Sequence, residues 1–193
     1  MPKPIRFLKP YIFIILLLLF VGGSGASCTL VDALKPVPTA LPPETQTGAN
    51  TFGCLVDGKL LVPYSDDSNV EPLIKDLASP QGGLFQLLGK YYKNNKRHLS
   101  CDFVLKNLTQ EGIYILKLKY PNPNLEKTDG AIASINDEYF YMLNPKSTFT
   151  VEVTKFDQKN YIVSGRFYGT LYHEKDSTRK VEITQGRFDV KFQ

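Results

Sequence analysis

The chain has 193 residues, of which 42% are hydrophobic and 12% aromatic, and its formal charge is +4. That length allows one domain with a substantial core. Three basic residues lie within the first nine positions, and the chain beyond position 27 holds 20 basic against 19 acidic residues. Near neutrality with no concentrated basic surface excludes a nucleic-acid partner.

Lys3, Arg6 and Lys9 precede the apolar run YIFIILLLLFV, Tyr11 to Val21, and the small residues GGSGAS follow at 22–27. A charged, then apolar, then small-residue order is that of a signal peptide. The run falls short of the about 20 residues a spanning helix needs. Cys28 comes next, and Ala26-Ser27-Cys28 resembles a bacterial lipobox, with Gly25 where leucine is usual. The resemblance implies cleavage before Cys28 and acylation of its sulfur. Each buried methylene of the acyl chains then contributes about 0.8 kcal/mol, so two or more chains hold a domain firmly at a membrane. The expected location is the cell envelope, at the outer membrane. Thr29, where aspartate would retain a lipoprotein in the inner membrane, agrees with this.

Residues 28–50 hold Pro36, Pro38, Pro42 and Pro43 and have no apolar periodicity, so they read as an extended tether. From Thr51 to Gln193 one domain is expected. Phe52, Cys54 and Val56 share one face of a strand. Asp57-Gly58 is a type I′ hairpin signal, with Lys59 to Val62 returning. Residues 63–82 read as a loop with a short helical turn near Glu71 to Ala78. Leu84 to Tyr92 and His98 to Lys106 form two strands around Asn94-Asn95, within the solvated turn Lys93–His98. Gly112 opens another strand, in which Ile113 and Ile115 face one way and Leu116, Leu118 and Tyr120 the other. Pro121 to Gly130 connects.

Ala131 to Ile135 and Tyr139 to Leu143 flank an Asn136-Asp137 turn. Phe149, Val151 and Val153 then alternate with polar residues. Tyr161 to Tyr172 is a long strand with Gly165 and Gly169 marking a bulge or bend, and Lys180 to Phe192 closes the chain with Gly186 as a bulge. About ten strands at short spacing predict an all-β domain, a single antiparallel β-sandwich or β-barrel.

The stretch LPPETQTGANTFGCLVDGK, residues 41–59, resembles uncharacterised envelope lipoproteins of Bacteroidetes-type bacteria, as does the closing ITQGRFDVKF, residues 183–192. The resemblance implies lineage and location and carries no activity.

Little in the sequence points to catalysis. His98 and His173 each lie beside a turn, and no nucleophile motif accompanies them. Asp66 to Asn69 is oxygen-rich but lacks the spacing of a calcium loop. Glu138, Glu152, Glu174 and Glu182 fall at outward or turn positions. No catalytic residue, metal site or cofactor is therefore assigned. In an oxidising compartment a Cys54–Cys101 bridge would close a loop of about 47 residues and contribute about 4 kcal/mol; two buried free thiols are the other reading.

Of the eleven tyrosines, Tyr91, Tyr92, Tyr139, Tyr141 and Tyr168 stand at strand positions where an inward ring would be core and an outward one would offer a binding face for a glycan, a peptide or an envelope protein. The expected role is binding or structural. The alternatives are a lipocalin-like carrier of a small apolar ligand, or a glycan-acting enzyme.

Overall fold

The computed structural model describes residues 36–77, 83–117 and 130–192. Among them no helix occurs, and twelve strands form one curled sheet, which agrees with the all-β expectation. The strands are β1 (Thr51–Val56), β2 (Lys59–Leu61), β3 (Tyr64–Ser65), β4 (Leu73–Leu77), β5 (Gly83–Lys93) and β6 (Lys96–Leu108). They continue as β7 (Gly112–Leu116), β8 (Gly130–Ile135), β9 (Tyr139–Met142), β10 (Thr148–Asp157), β11 (Ile162–His173) and β12 (Lys180–Lys191). The leader, Cys28 and the connection at 121–129 lie outside the described residues, as do Leu118 and Tyr120.

Strand order runs β2-β1-β12-β11-β9-β8-β6-β5-β3, with β10 also on β11, β7 on β10 and β4 on β5. The long strand β11 makes the curl. Residues 162–170 pair with β10, then Tyr172 and His173 pair with Met142 and Tyr141 of β9. The register shifts opposite Gly186, between Phe167 and Gly169, and a Cβ on Gly186 would lie 2.3 Å from the Phe167 carbonyl oxygen. The bulge expected there is present because only glycine lets the two backbones approach so closely.

Three hairpin turns lie where the sequence places them. Asp57-Gly58, Asn94-Asn95 and Asn136-Asp137 all have positive φ at both central positions, which aspartate, asparagine and glycine tolerate best. One element differs. The helical turn expected near Glu71 to Ala78 is instead strand β4, antiparallel to β5 from Leu73↔Gly89 to Leu77↔Phe85. The segment has no period of its own. Pairing with the edge of β5 satisfies its backbone groups. β3 adds a short parallel pairing, Tyr64↔Tyr91, to an otherwise antiparallel sheet.

Phe52, Phe85, Phe103, Phe149, Phe167 and Phe188 are almost fully buried and fill the inside of the curl. Phe52 and Phe167 stack at 5.0 Å, and Phe103 lies 5.2 Å from Phe167 and 5.5 Å from Phe188. Each buried ring contributes about 1.5–3 kcal/mol, and offset or tilted contacts add to that. A Cβ at Gly89 would meet the Phe52 ring at 2.4 Å, so β1 crosses directly over β5.

The segment expected as a free tether is docked over its second half. Pro42 and Leu41 cover Gly53 on the outer face of β1. Residues 44–49 continue across the outer face of β11 and β12. The compact unit accordingly begins at Pro36 rather than Thr51.

Candidate binding rim

Five adjacent strands, β3, β5, β6, β8 and β9, carry a row of side chains aligned by their registers. Tyr64 pairs with Tyr91, Tyr91 with Leu99, Leu99 with Ile135, and Ile135 with Tyr139. Alternation places Leu99 and Ile135 on the inward face, with Tyr91 and Ile135 half-buried against the core. Tyr64 and Tyr91 stack at 5.5 Å, and His98 meets the Tyr91 ring at 6.0 Å. Three strand steps of about 4.8 Å separate Tyr91 from Tyr139.

At the far end the rim carries a cation. The 173–179 loop is closed by the His173 N–H donating to the Arg179 carbonyl, and the Glu174 N–H donates to Phe140 of β9. This brings Arg179 over the Tyr139 ring, 4.6 Å from its centroid. The guanidinium also donates to the Tyr141 hydroxyl at 3.4 Å, and His173 lies edge-on to Tyr141 at 5.4 Å. Arg179 makes no ion pair within 4 Å among the described residues, although its charge acts on the Asp176 carboxylate of the same loop, and it is exposed beside a ring that is 37% exposed. Such an arginine is preorganised for an oxyanion or a polarised hydroxyl.

The five tyrosines singled out from the sequence therefore divide. Tyr91 and Tyr139 share the rim, whereas Tyr141, opposite Ala133, is buried in the core behind Tyr139. Tyr92 pairs with Arg97 and follows Tyr91 directly, while Tyr168 is 52% exposed on the outer face of β11, away from the row. Tyr64, His173 and Arg179 are rim residues that the sequence reading did not select. Only the fold places them, because their partners are 27 or more positions distant.

The titratable groups outside the rim are dispersed. Glu152 lies near Arg166, Glu182 contacts Lys180 and Glu174 contacts Lys175. Asp66 accepts from the Asn94 N–H of the β5–β6 turn and Asp67 from the Asn69 N–H, so the oxygen-rich loop is held by hydrogen bonds within the protein. No group of three His, Cys, Asp or Glu side chains able to hold a metal occurs among the described residues. Cys54 and Cys101 do converge, fully buried, but as free thiols rather than the bridge that the spacing allowed. Donation of the Cys101 S–H to Cys54, together with burial, holds the Cys101 thiol well above its ordinary range.

Two carboxylates are strongly perturbed. Asp189, on β12, is 1% exposed. It accepts from the Thr45 and Ser164 hydroxyls at 2.6 and 2.7 Å and from the Thr47, Gly48 and Ala49 N–H groups at 2.8–3.2 Å. Burial pushes its pKa up, but the donors outweigh burial and hold it at about 2. Asp102, on the outward side of β6, accepts only from Gln86, at 3.1 Å, and its second oxygen is buried with no partner. Burial raises it to about 6, against the opposing Gln86 bond.

Two concave surfaces among the described residues are lined mainly by polar residues. One open hollow of about 820 Å³ is lined by Gln46, Glu111, Lys155 and Asp157 among others, and another of about 240 Å³ lies between residues 43–46 and Arg166.

A family described as "Domain of unknown function (DUF5025)" matches residues 89–191. No curated protein and no solved structure matches the chain. Because the match runs from the middle of β5 through the end of β12, more than half of the sequence, the chain belongs to the DUF5025 family.

Proposed function

We propose that this protein is a lipid-anchored component of the cell envelope whose sheet domain binds an extended glycan along the rim. The anchor reading is supported by the leader and by Cys28 directly after Ala26 and Ser27. The binding reading is carried by one observation: Tyr91, Ile135 and Tyr139 lie in register along one row, with an exposed arginine stacked on the last ring.

Tyrosine rings offer an apolar face to the C–H side of a sugar and a hydroxyl to its polar edge. A peptide adding as a strand would need an open ladder edge, whereas β9 is paired on both sides, by β8 and by β11. Binding is favoured over catalysis because general acid–base chemistry on a glycan needs two converging carboxyl groups, and Asp102 has no acidic partner. The phenylalanine-filled interior likewise gives no support to the carrier alternative.

The test has two arms. Metabolic labelling with a fatty-acid analogue should mark the wild type and not Cys28→Ala; labelling of the variant refutes the anchor. Retention on a panel of envelope and host glycans should drop at least tenfold on Tyr139→Ala and on Arg179→Ala, with the fold unchanged by circular dichroism. Equal retention of both variants refutes the rim.

A further inference from the structure

Away from the rim, strand β7 combines two features that protein surfaces rarely leave together. Among the described residues it is paired along one side only, to β10. Its five residues include no charge, no proline and no bulge, the usual guards of an open sheet edge. Its outward side chains, Ile113 and Ile115, are 70% and 60% exposed, the highest values among the large hydrophobics. Register extends the patch across β10 to β11, since Ile115 pairs with Thr150 and Thr150 with Tyr168.

We propose that β7 pairs antiparallel with β7 of a second copy of this chain, with Tyr114 on the two-fold axis. The sequence around Tyr114 is complementary to itself in that register. Ile113 faces the partner's Ile115 on the outer face, and Ile115 faces the partner's Ile113, so four isoleucines meet across the seam. One position beyond the strand at each end, exposed Glu111 faces the partner's Lys117, and Lys117 faces the partner's Glu111. A two-fold axis requires one patch to complement itself, and here both the apolar centre and the flanking charges do so. The nearest charge on the same face, Glu152, lies one strand inside the seam, 3.8 Å from Arg166. A seam this short buries less than about 1,000 Å², the size of a weak association. Confinement of copies to one surface would strengthen it, although the pairing itself does not depend on the anchor or on the rim.

A zero-length carbodiimide cross-linker applied to the full-length protein in mild detergent tests this. Within one strand Glu111 and Lys117 stand about 20 Å apart, so any amide bond between them joins two copies. The expected product is a dimer carrying that linked peptide. Sedimentation should show dimers at high-micromolar protein. Ile115→Lys, at an exposed position, should weaken dimerisation at least tenfold. Lys117→Glu should weaken it, and the double exchange Glu111→Lys with Lys117→Glu should restore it. A monomer throughout, or a dimer indifferent to Ile115→Lys and lacking the 111–117 linkage, overturns the proposal. A monomer whose β7 amides gain exchange protection only with phosphatidylethanolamine–phosphatidylglycerol vesicles overturns it in favour of the bilayer as occupant.

Discussion

Two aspartates at outward positions of the same sheet were given opposite surroundings. Asp189 is covered by residues 45–49, which bring it backbone and hydroxyl donors, and its pKa falls to about 2. Asp102 lies three positions along β6 from Leu99 of the rim, with one amide partner and one orphaned oxygen, and its pKa rises to about 6. Burial raises the pKa of both, and the donors around Asp189 outweigh it where the single Gln86 amide at Asp102 does not. At β12 the buried charge clasps a segment of chain onto the sheet. At β6 it only strains the site.

The clasp is the place to break this contrast with the largest effect. Asp189→Ala removes the acceptor for the Thr45, Thr47, Gly48, Ala49 and Ser164 donors at once. Some of these groups can swing out to water, so the expected loss is about 3 kcal/mol rather than the sum of the bonds. For a domain of this size the melting midpoint should fall by roughly 6–12 °C. Limited proteolysis should then cut more readily within residues 41–49, which would keep the Leu41 and Pro42 contacts, the Glu44–Arg166 ion pair and the Gln46–Thr154 and Arg187–Pro42 hydrogen bonds but lose their central clasp. A melting point within a degree or two of wild type would mean that residues 41–49 are not fastened by this carboxylate.

Acid should reproduce part of that loss without mutation. The folded pKa of Asp189 is depressed from 3.8 to about 2. Its contribution is thus fully present above pH 4 and is lost as pH falls through 2, by about 2 kcal/mol. Denaturant titrations between pH 5 and pH 2 should show this limb in wild type and a shallower one in Asp189→Ala.

What could be read from the sequence follows the range of the forces involved. The strands from Phe149 to Phe192 were legible because alternation, turn residues and glycine bulges are local signals. The paired positive φ at Asn94-Asn95 and Asn136-Asp137 was legible for the same reason. β4 was not, because Leu73 to Leu77 becomes a strand only through the edge that β5 offers. Residues 41–50 looked like a tether because proline and threonine with no period describe any extended segment. What fastens them is a carboxylate 140 or more positions away. The rim was half legible. Tyr91 and Tyr139 stand out as strand aromatics, but Arg179 reaches Tyr139 only because its hairpin folds back over β9.

The smallest effect should have the opposite sign. Since folding raises the pKa of Asp102 from 3.8 to about 6, the folded state takes up a proton more readily than the unfolded one. Its ionisation therefore costs stability above pH 6, and the cost disappears as pH falls toward 4. Asp102→Asn keeps the shape and an oxygen for Gln86 while removing the charge. It should raise stability at pH 8 by about 1 kcal/mol, since part of the penalty is relieved by solvent at a half-buried site. The gain should shrink to nothing near pH 4, where wild type is itself neutral at this position. A variant destabilised equally at pH 8 and pH 4 would show that the second oxygen of Asp102 has a partner as good as those of Asp189, and the contrast between the two carboxylates would fail.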